Sequence, residues 1–123
     1  MTSLGVQIIA DLYDCDRERL DDTELVCEAM LEAARRARAT IITHTFHRFS
    51  PQGVSGVVII AESHLAIHTW PEHHYAAVDL FTCGDVAHAE ECFAFLKDTF
   101  RSGRSTITRI ERGQHAARNA PGA

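Results

Sequence analysis

The stretch Val54–Glu72, VSGVVIIAESHLAIHTWPE, holds two strand patterns back to back. Val54 to Ala61 reads as a strand whose Val57–Ala61 part is an apolar, β-branched run, the composition of a buried strand. His64 to Trp70 alternates, with Leu65 and Ile67 on one face and His64, Ala66 and His68 on the other. Between them stand a carboxylate, a hydroxyl and an imidazole, Glu62-Ser63-His64. A turn or bulge is the ordinary reading of such a triplet. Yet it contains no Gly, Pro, Asn or Asp of the kind that makes tight turns.

The flanking segments give the architecture. Gln7 to Tyr13 reads as a strand, and Asp21 and Glu24 have capping-box spacing that predicts a helix start. Leu25, Val26, Ala29, Met30, Ala33 and Ala37 then form the stripe of an amphipathic helix. Thr40 to Phe49 is strand-like, and Ser50-Pro51-Gln52-Gly53 is a turn. Tyr75 to Thr82 is the next strand, closed by Cys83-Gly84-Asp85. Val86 to Phe100 reads as a second helix with Ala89, Cys92, Phe93, Leu96 and Phe100 on one side and Gly103 just past its end. Ser105 to Glu111 is a last strand.

The order β-α-β-β-β-β-α-β predicts an α+β fold, a largely antiparallel sheet with two helices on one face. The bare face needs cover, and a second copy of the chain would supply it, so a dimer packed sheet to sheet is expected. At 123 residues and 46 % hydrophobic, the chain is the size of one domain. That domain is expected over 1–112, with 113–123 a small, polar, disordered tail.

Charge and cysteine usage exclude several functions. Twelve basic residues against seventeen acidic ones leave −5, with a single basic cluster at Arg35, Arg36 and Arg38. That argues against a nucleic-acid surface. No apolar run has the length of a membrane span, and the N-terminus lacks the basic region of a signal peptide. Cys15, Cys27, Cys83 and Cys92 form no CxxC pair, which suits free thiols in a reducing cytoplasm.

Chemistry gives the triplet a different meaning. A serine hydroxyl attacks a carbonyl when a base takes its proton, and the nearest carbonyl to Ser63 is that of Glu62. A strained backbone there would favour an acyl shift from peptide to ester. Removal of the Ser63 α-proton would then eliminate the ester and break the chain. The remaining dehydroalanine loses ammonia to water and becomes a pyruvoyl group. Such a carbonyl forms a Schiff base with an amino acid and takes up electrons as carbon dioxide leaves.

With these residues in place, the sequence resembles the prokaryotic S-adenosylmethionine decarboxylase family, pyruvoyl-dependent enzymes of spermidine biosynthesis. The resemblance runs from Ser3 to about Gly113. It rests on ESHLAIHTWPE (Glu62–Glu72), TFHRFSPQGVSGVV (Thr45–Val58), YAAVDLFTCG (Tyr75–Gly84) and ERG (Glu111–Gly113). It implies an α/β sandwich that dimerises by face-to-face sheets, with active sites at the interface. It implies cleavage between Glu62 and Ser63 into chains 1–62 and 63–123, with the pyruvoyl cofactor made from Ser63. His68 is implied as a base in processing, Ser55 as a hydrogen-bonding aid to the acyl shift, and Cys83 as the acid that reprotonates the substrate carbon. An imidazole suits the first of these roles near neutral pH, and a protonated thiol suits the last. Phe49, Trp70 and Glu72 are implied to hold the substrate, since an aromatic face suits both a purine and a sulfonium cation. The product would be the aminopropyl donor for spermidine.

Three alternatives remain at this point. The family usually has an aromatic and a small residue after Glu72, where this chain has His73-His74. Enzymes of the same fold act on ornithine or arginine with the same pyruvoyl chemistry. A chain that never cuts itself would be a non-enzymatic partner subunit. With eight histidines, a metal-binding module is the remaining class. But His64 and His68 would lie about 13 Å apart along a strand, at roughly 3.3 Å per residue, which is wide for one ion. No zinc-finger spacing is present, so no metal is expected.

Overall fold

The structure is a computed structural model that describes residues 3–83 and 88–114. Six strands are joined in the order β1 (Gly5–Tyr13), α1 (Arg17–Leu20), α2 (Thr23–Arg36), β2 (Ile41–Arg48), β3 (Val54–Ile60) and β4 (Ser63–Trp70). A 3₁₀ turn (Pro71–His73), β5 (Tyr75–Thr82), α3 (Ala89–Thr99) and β6 (Arg104–Arg112) complete the chain. The strands form one sheet in the order β2-β3-β4-β5-β1-β6, and every neighbouring pair is antiparallel. The expected α+β class, strand count and helix-strand order are all present, with the one-turn α1 and the 3₁₀ turn as additions.

Alternation sorts each strand onto two faces. Val58, Leu65, Leu80 and Ile8 are paired in register and buried, so they make one row of the core. Against that face pack Val26, Ala29, Met30 and Ala33 of α2 and Cys92, Phe93 and Leu96 of α3, all within one core cluster. Phe93, Phe100, Leu12 and Leu20 are among its largest fully buried side chains, each contributing roughly 1.5–3 kcal/mol of burial. Gly56 makes room for Phe46 on the paired strand, since a Cβ there would stand 1.9 Å from the Phe46 ring.

Several local expectations need correction. The cap of α2 is Asp22, which accepts from the Leu25 N–H. Asp21 faces the β2–β3 turn instead. Its carboxylate accepts from the Gly53 N–H at 2.9 Å and pairs with Arg48 at 2.7 Å. Phe49 lies beyond β2, in a turn closed by its N–H on the Gly53 carbonyl at 2.7 Å. Gly53 takes φ 103°, and a Cβ there would press on the Thr69 carbonyl. At the end of α3 the left-handed residue is Arg101 (φ 55°), while Gly103 has no positive φ. The Ser102 N–H reaches the Lys97 carbonyl, which closes a Schellman-type stop with arginine in the usual glycine place. The helix is described from Ala89. The predicted start at Val86 and the tail beyond Gln114 lie outside the described residues.

Asp21 yields a stability prediction. The Arg48 guanidinium, and then the Gly53 amide, hold its carboxyl below the usual range. A carboxyl depressed on folding stabilises above its unfolded pKa, and the benefit is lost as pH falls through the folded value. Asp21→Ala should therefore cost about 1–2 kcal/mol near neutral pH, because it strands a buried N–H and unpairs Arg48. Urea unfolding of both proteins at pH 7 and pH 3 checks this. The gap should narrow at low pH, and a gap independent of pH would rule out the charged pair as its source.

Candidate active site

Glu62 and Ser63 stand at the end of the sheet where β3 turns into β4. Ile60 and Ser63 are paired, so only Ala61 and Glu62 form the turn. The turn is thus a tight two-residue hairpin made without glycine, and of the triplet it takes only Glu62 while Ser63 and His64 begin β4. The backbone shows how, because Glu62 takes φ 59°, a left-handed conformation uncommon for a residue with a Cβ. Such a residue carries local backbone strain, and it stands directly before the peptide bond to Ser63. Ala61, Glu62 and Ser63 line a cavity of ≈ 350 Å³ with Arg38, Thr40, Thr82 and His88. Cys83 follows directly on β5, the neighbour of β4, at this same end of the sheet.

Cys83 is exposed, and the other three thiols are poor candidates for proton traffic. Burial pushes Cys15 up to about 11 and Cys92 up to about 12. It also raises Cys27, with a smaller contribution from Glu28.

Ser55 and His68 come together on the face away from the helices. They are paired across β3 and β4, and Ser55 Oγ and His68 Nδ1 share a hydrogen bond of 2.8 Å. A hydroxyl held by an imidazole is ready to take or give a proton as the ring changes tautomer. Ser63, however, does not join them. It is paired with Ile60, whose side chain is buried on the helix side, and it sits five positions before His68. At roughly 3.3 Å per residue that is about 16 Å along the strand, and odd spacing puts the two on opposite faces.

The three proposed substrate contacts lie further still. Phe49 follows β2, Trp70 ends β4 and Glu72 sits in the 3₁₀ turn, so all three are at the sheet end opposite Ser63. Each is exposed. Trp70 belongs to an aromatic shelf. Its ring lies 5.4 Å from Tyr75, which stacks at 5.4 Å on Tyr13, and Arg104 covers the Tyr13 ring. The Tyr75 hydroxyl donates to Asp11, and burial followed by this carboxylate raises its pKa. Sequence reasoning missed Tyr13 and Tyr75, whose signal was their place at strand ends beside Trp70.

The two histidines after Glu72 differ in role. His73 lines the shelf with Tyr13, Trp70 and Tyr75. His74 is structural: it turns left-handed (φ 52°), and its Nδ1 lies 3.0 Å from the Cys15 carbonyl. Its own carbonyl accepts from the Cys15 N–H at 2.9 Å. Among the described residues, no three His, Cys, Asp or Glu side chains are grouped to hold a metal ion. Nor is any helix among them long and apolar enough to cross a membrane.

Comparison with known proteins matches this geometry to one family. A family model described as S-adenosylmethionine decarboxylase covers residues 6–113. The S-adenosylmethionine decarboxylase proenzyme of Acidithiobacillus ferrooxidans is 60 % identical over 114 residues, 93 % of this chain and 86 % of that protein. The proenzyme of Thermotoga maritima is 51 % identical over 115 residues, 94 % of this chain and 88 % of that one. A solved adenosylmethionine decarboxylase from Aquifex aeolicus superposes with a TM-score of 0.85 at 37 % identity, covering 92 % of this chain and 93 % of that one. The chain belongs to the S-adenosylmethionine decarboxylase family.

Proposed function

We propose that this chain cuts itself between Glu62 and Ser63 and then decarboxylates S-adenosylmethionine, yielding an aminopropyl donor for spermidine synthesis. The observation that carries the proposal is the left-handed Glu62 set directly before Ser63 in a two-residue turn. Release of the backbone strain at Glu62 favours the acyl shift, in which Ser63 Oγ attacks the Glu62 carbonyl. The products are chains 1–62 and 63–123, the second beginning with a pyruvoyl group. A pyruvoyl carbonyl supplies the electron sink that decarboxylation needs.

The remaining roles fall to side chains. Ser55 hydrogen-bonds during the acyl shift, and His68 draws off the Ser63 α-proton. Cys83, exposed at the same sheet end as Ser63, returns a proton to the substrate carbon. Phe49 and Trp70 hold the adenine and the sulfonium against aromatic faces, with Glu72 as an edge contact. The aromatic shelf favours S-adenosylmethionine over ornithine or arginine, since neither of those carries a purine to stack.

A second copy of the chain completes this site. Within one protomer, Ser63 and Trp70 are about 23 Å apart at roughly 3.3 Å per residue, and no single substrate touches both. Two sheets packed face to face, with a two-fold axis between them and perpendicular to the strands, lay the Ser63 end of one over the Phe49 end of the other. Ile59, Trp70 and Ile110 each leave 39–40 % of their surface exposed on the uncovered face, and this packing would bury them.

The test is the intact mass of the purified chain under denaturing conditions, followed by carbon dioxide release from each candidate substrate. Two chains split after Glu62, the second lighter by one ammonia than hydrolysis gives, with turnover of S-adenosylmethionine, are expected. Turnover of ornithine or arginine alone would overturn the substrate. An uncut chain would overturn the mechanism and favour a non-catalytic partner subunit.

Cys83→Ala separates processing from turnover. The variant should cut itself at near the wild-type rate, while kcat falls by about 10²–10⁴, the usual contribution of a placed acid. An uncut Cys83→Ala chain would move the thiol into processing.

A further inference from the structure

We propose that Arg38 takes up the negative charge that chain breaking puts on the main-chain carboxyl group of Glu62, first as that group leaves Ser63 and then as the new C-terminus. The proposal rests on the reading that the chain cuts itself between Glu62 and Ser63. Its basis is a cavity and a cation without a partner. Arg38, Thr40, Glu62 and Ser63 line one cavity of ≈ 350 Å³. The Ala61 N–H donates to the Thr40 carbonyl at 2.9 Å, which ties the segment carrying Arg38 to the turn carrying Glu62.

Every other arginine among the described residues has a side-chain partner. In the uncut chain the Arg38 guanidinium makes no hydrogen bond, ion pair or ring contact among the described residues, and neither does the Glu62 side chain. Arg101 supplies the contrast. Each of these two arginines stands left-handed just past a helix, φ 60° for Arg38 and 55° for Arg101, where glycine costs least. Arg101 reaches Asp16 at 3.6 Å. Arg38 ends α2 in the same way, with the Ala39 N–H on the Ala34 carbonyl at 3.1 Å, yet its charge is left unmatched. His88, the other basic side chain on the cavity, lies 3.6 Å from Glu91.

Cutting creates the missing partner. The acyl shift moves the Glu62 carbonyl carbon from the Ser63 nitrogen to Ser63 Oγ, and the hydroxyl proton ends on that nitrogen. Elimination then gives the Ser63 α-proton to the base and breaks the Cβ–Oγ bond, whose electron pair leaves with the oxygen. Glu62 departs as a carboxylate, and chain 63–123 keeps the dehydroalanine. A full negative charge thus appears on a group that was neutral in the uncut chain. A guanidinium is a planar fork that meets a carboxylate through two N–H donors. Held at the cavity before the charge forms, it stabilises the leaving group as the bond breaks.

Intact mass of full-length chains, followed over time with and without hydroxylamine, tests this. Arg38→Gly removes the charge and suits φ 60°, so the fold has nothing to lose. It should break about tenfold more slowly than wild type, with the ester accumulating as a species that hydroxylamine splits. Arg38→Lys keeps the charge and should break within about threefold of wild type. A role confined to ending α2 predicts the reverse order, with glycine at least as fast as arginine and lysine no better than glycine. Glu62→Gln separates the two carboxyl groups of that residue. In its background Arg38→Gly should still slow breaking about tenfold, because the main-chain carboxylate still forms. Loss of the effect there assigns Arg38 to the Glu62 side chain and overturns the proposal. Wild-type breaking by Arg38→Gly, or slowing with no ester, overturns it as well. A wild-type chain that never cuts sinks the reading beneath the proposal, whereas a cut wild type with an equally fast Arg38→Gly sinks only the role of Arg38.

Discussion

Ser63→Ala should remain a single uncut chain of 13.7 kDa with no decarboxylase activity. In the proposed mechanism every later step begins at the Ser63 hydroxyl, so its loss removes the mechanism where other changes only slow it. The expected effect is complete loss of both readouts, beyond the roughly 10⁴-fold that removing one acid or base gives. Folding should survive. Ser63 is half-buried at the first position of β4, and alanine keeps the Cβ and the backbone pairing with Ile60. A control comes from His68→Ala, which should stop at a different point. Without the base, the ester formed at Ser63 should accumulate, and hydroxylamine, which cuts esters in preference to amides, should release two chains from it. The same treatment should leave Ser63→Ala whole. Splitting of Ser63→Ala by either route would mean that the serine hydroxyl is not the nucleophile.

The sheet was legible because its signal is repetition. The alternation from Leu65 to Trp70, and the apolar run before it, place β3 and β4 to within a residue or two. The helices were legible by their stripes, and Ala89, Cys92, Phe93, Leu96 and Phe100 are all buried as the pattern implies. What failed were single backbone choices. Two adjacent aspartates offer two caps, and only the packing of the β2–β3 turn assigns Asp22 to the helix and Asp21 to Gly53. Rules that look for glycine at positive φ pass over Glu62, Arg101 and His74. For Glu62 the omission concerns the site itself. The residue that made the turn reading unattractive in the sequence is the one that holds the strain. The candidate site was legible as chemistry and illegible as geometry. Ser63, His68 and Trp70 look adjacent on paper, yet an interval of five places the first two on opposite faces, and an interval of seven spans most of a strand. Parity alone carried that information.

Mixing two dead variants should restore cleavage, because in the proposed dimer Ser63 of one chain meets His68 of the other. Ser63→Ala lacks the nucleophile but carries His68, and His68→Ala lacks the base but carries Ser63. Co-expressed, they form a mixed dimer in which one site has both defects and the other has neither. The intact site joins Ser63 of the His68→Ala chain to His68 of its Ser63→Ala partner. The His68→Ala chain should therefore be cut, and the Ser63→Ala chain should not. With random pairing at equal amounts, about half of the His68→Ala chains sit in mixed dimers, which sets the limit on the yield. Differently tagged chains identify which is cut by mass. The opposite arrangement, with each protomer using its own His68, predicts no cleavage in the mixture beyond that of the separate parents. That arrangement would require Ser63 and His68 of one chain to meet across about 16 Å of β4, at roughly 3.3 Å per residue, against a ladder running from Ser63–Ile60 to His68–Ser55. Cleavage of the His68→Ala chain alone would show that each chain is processed by the other.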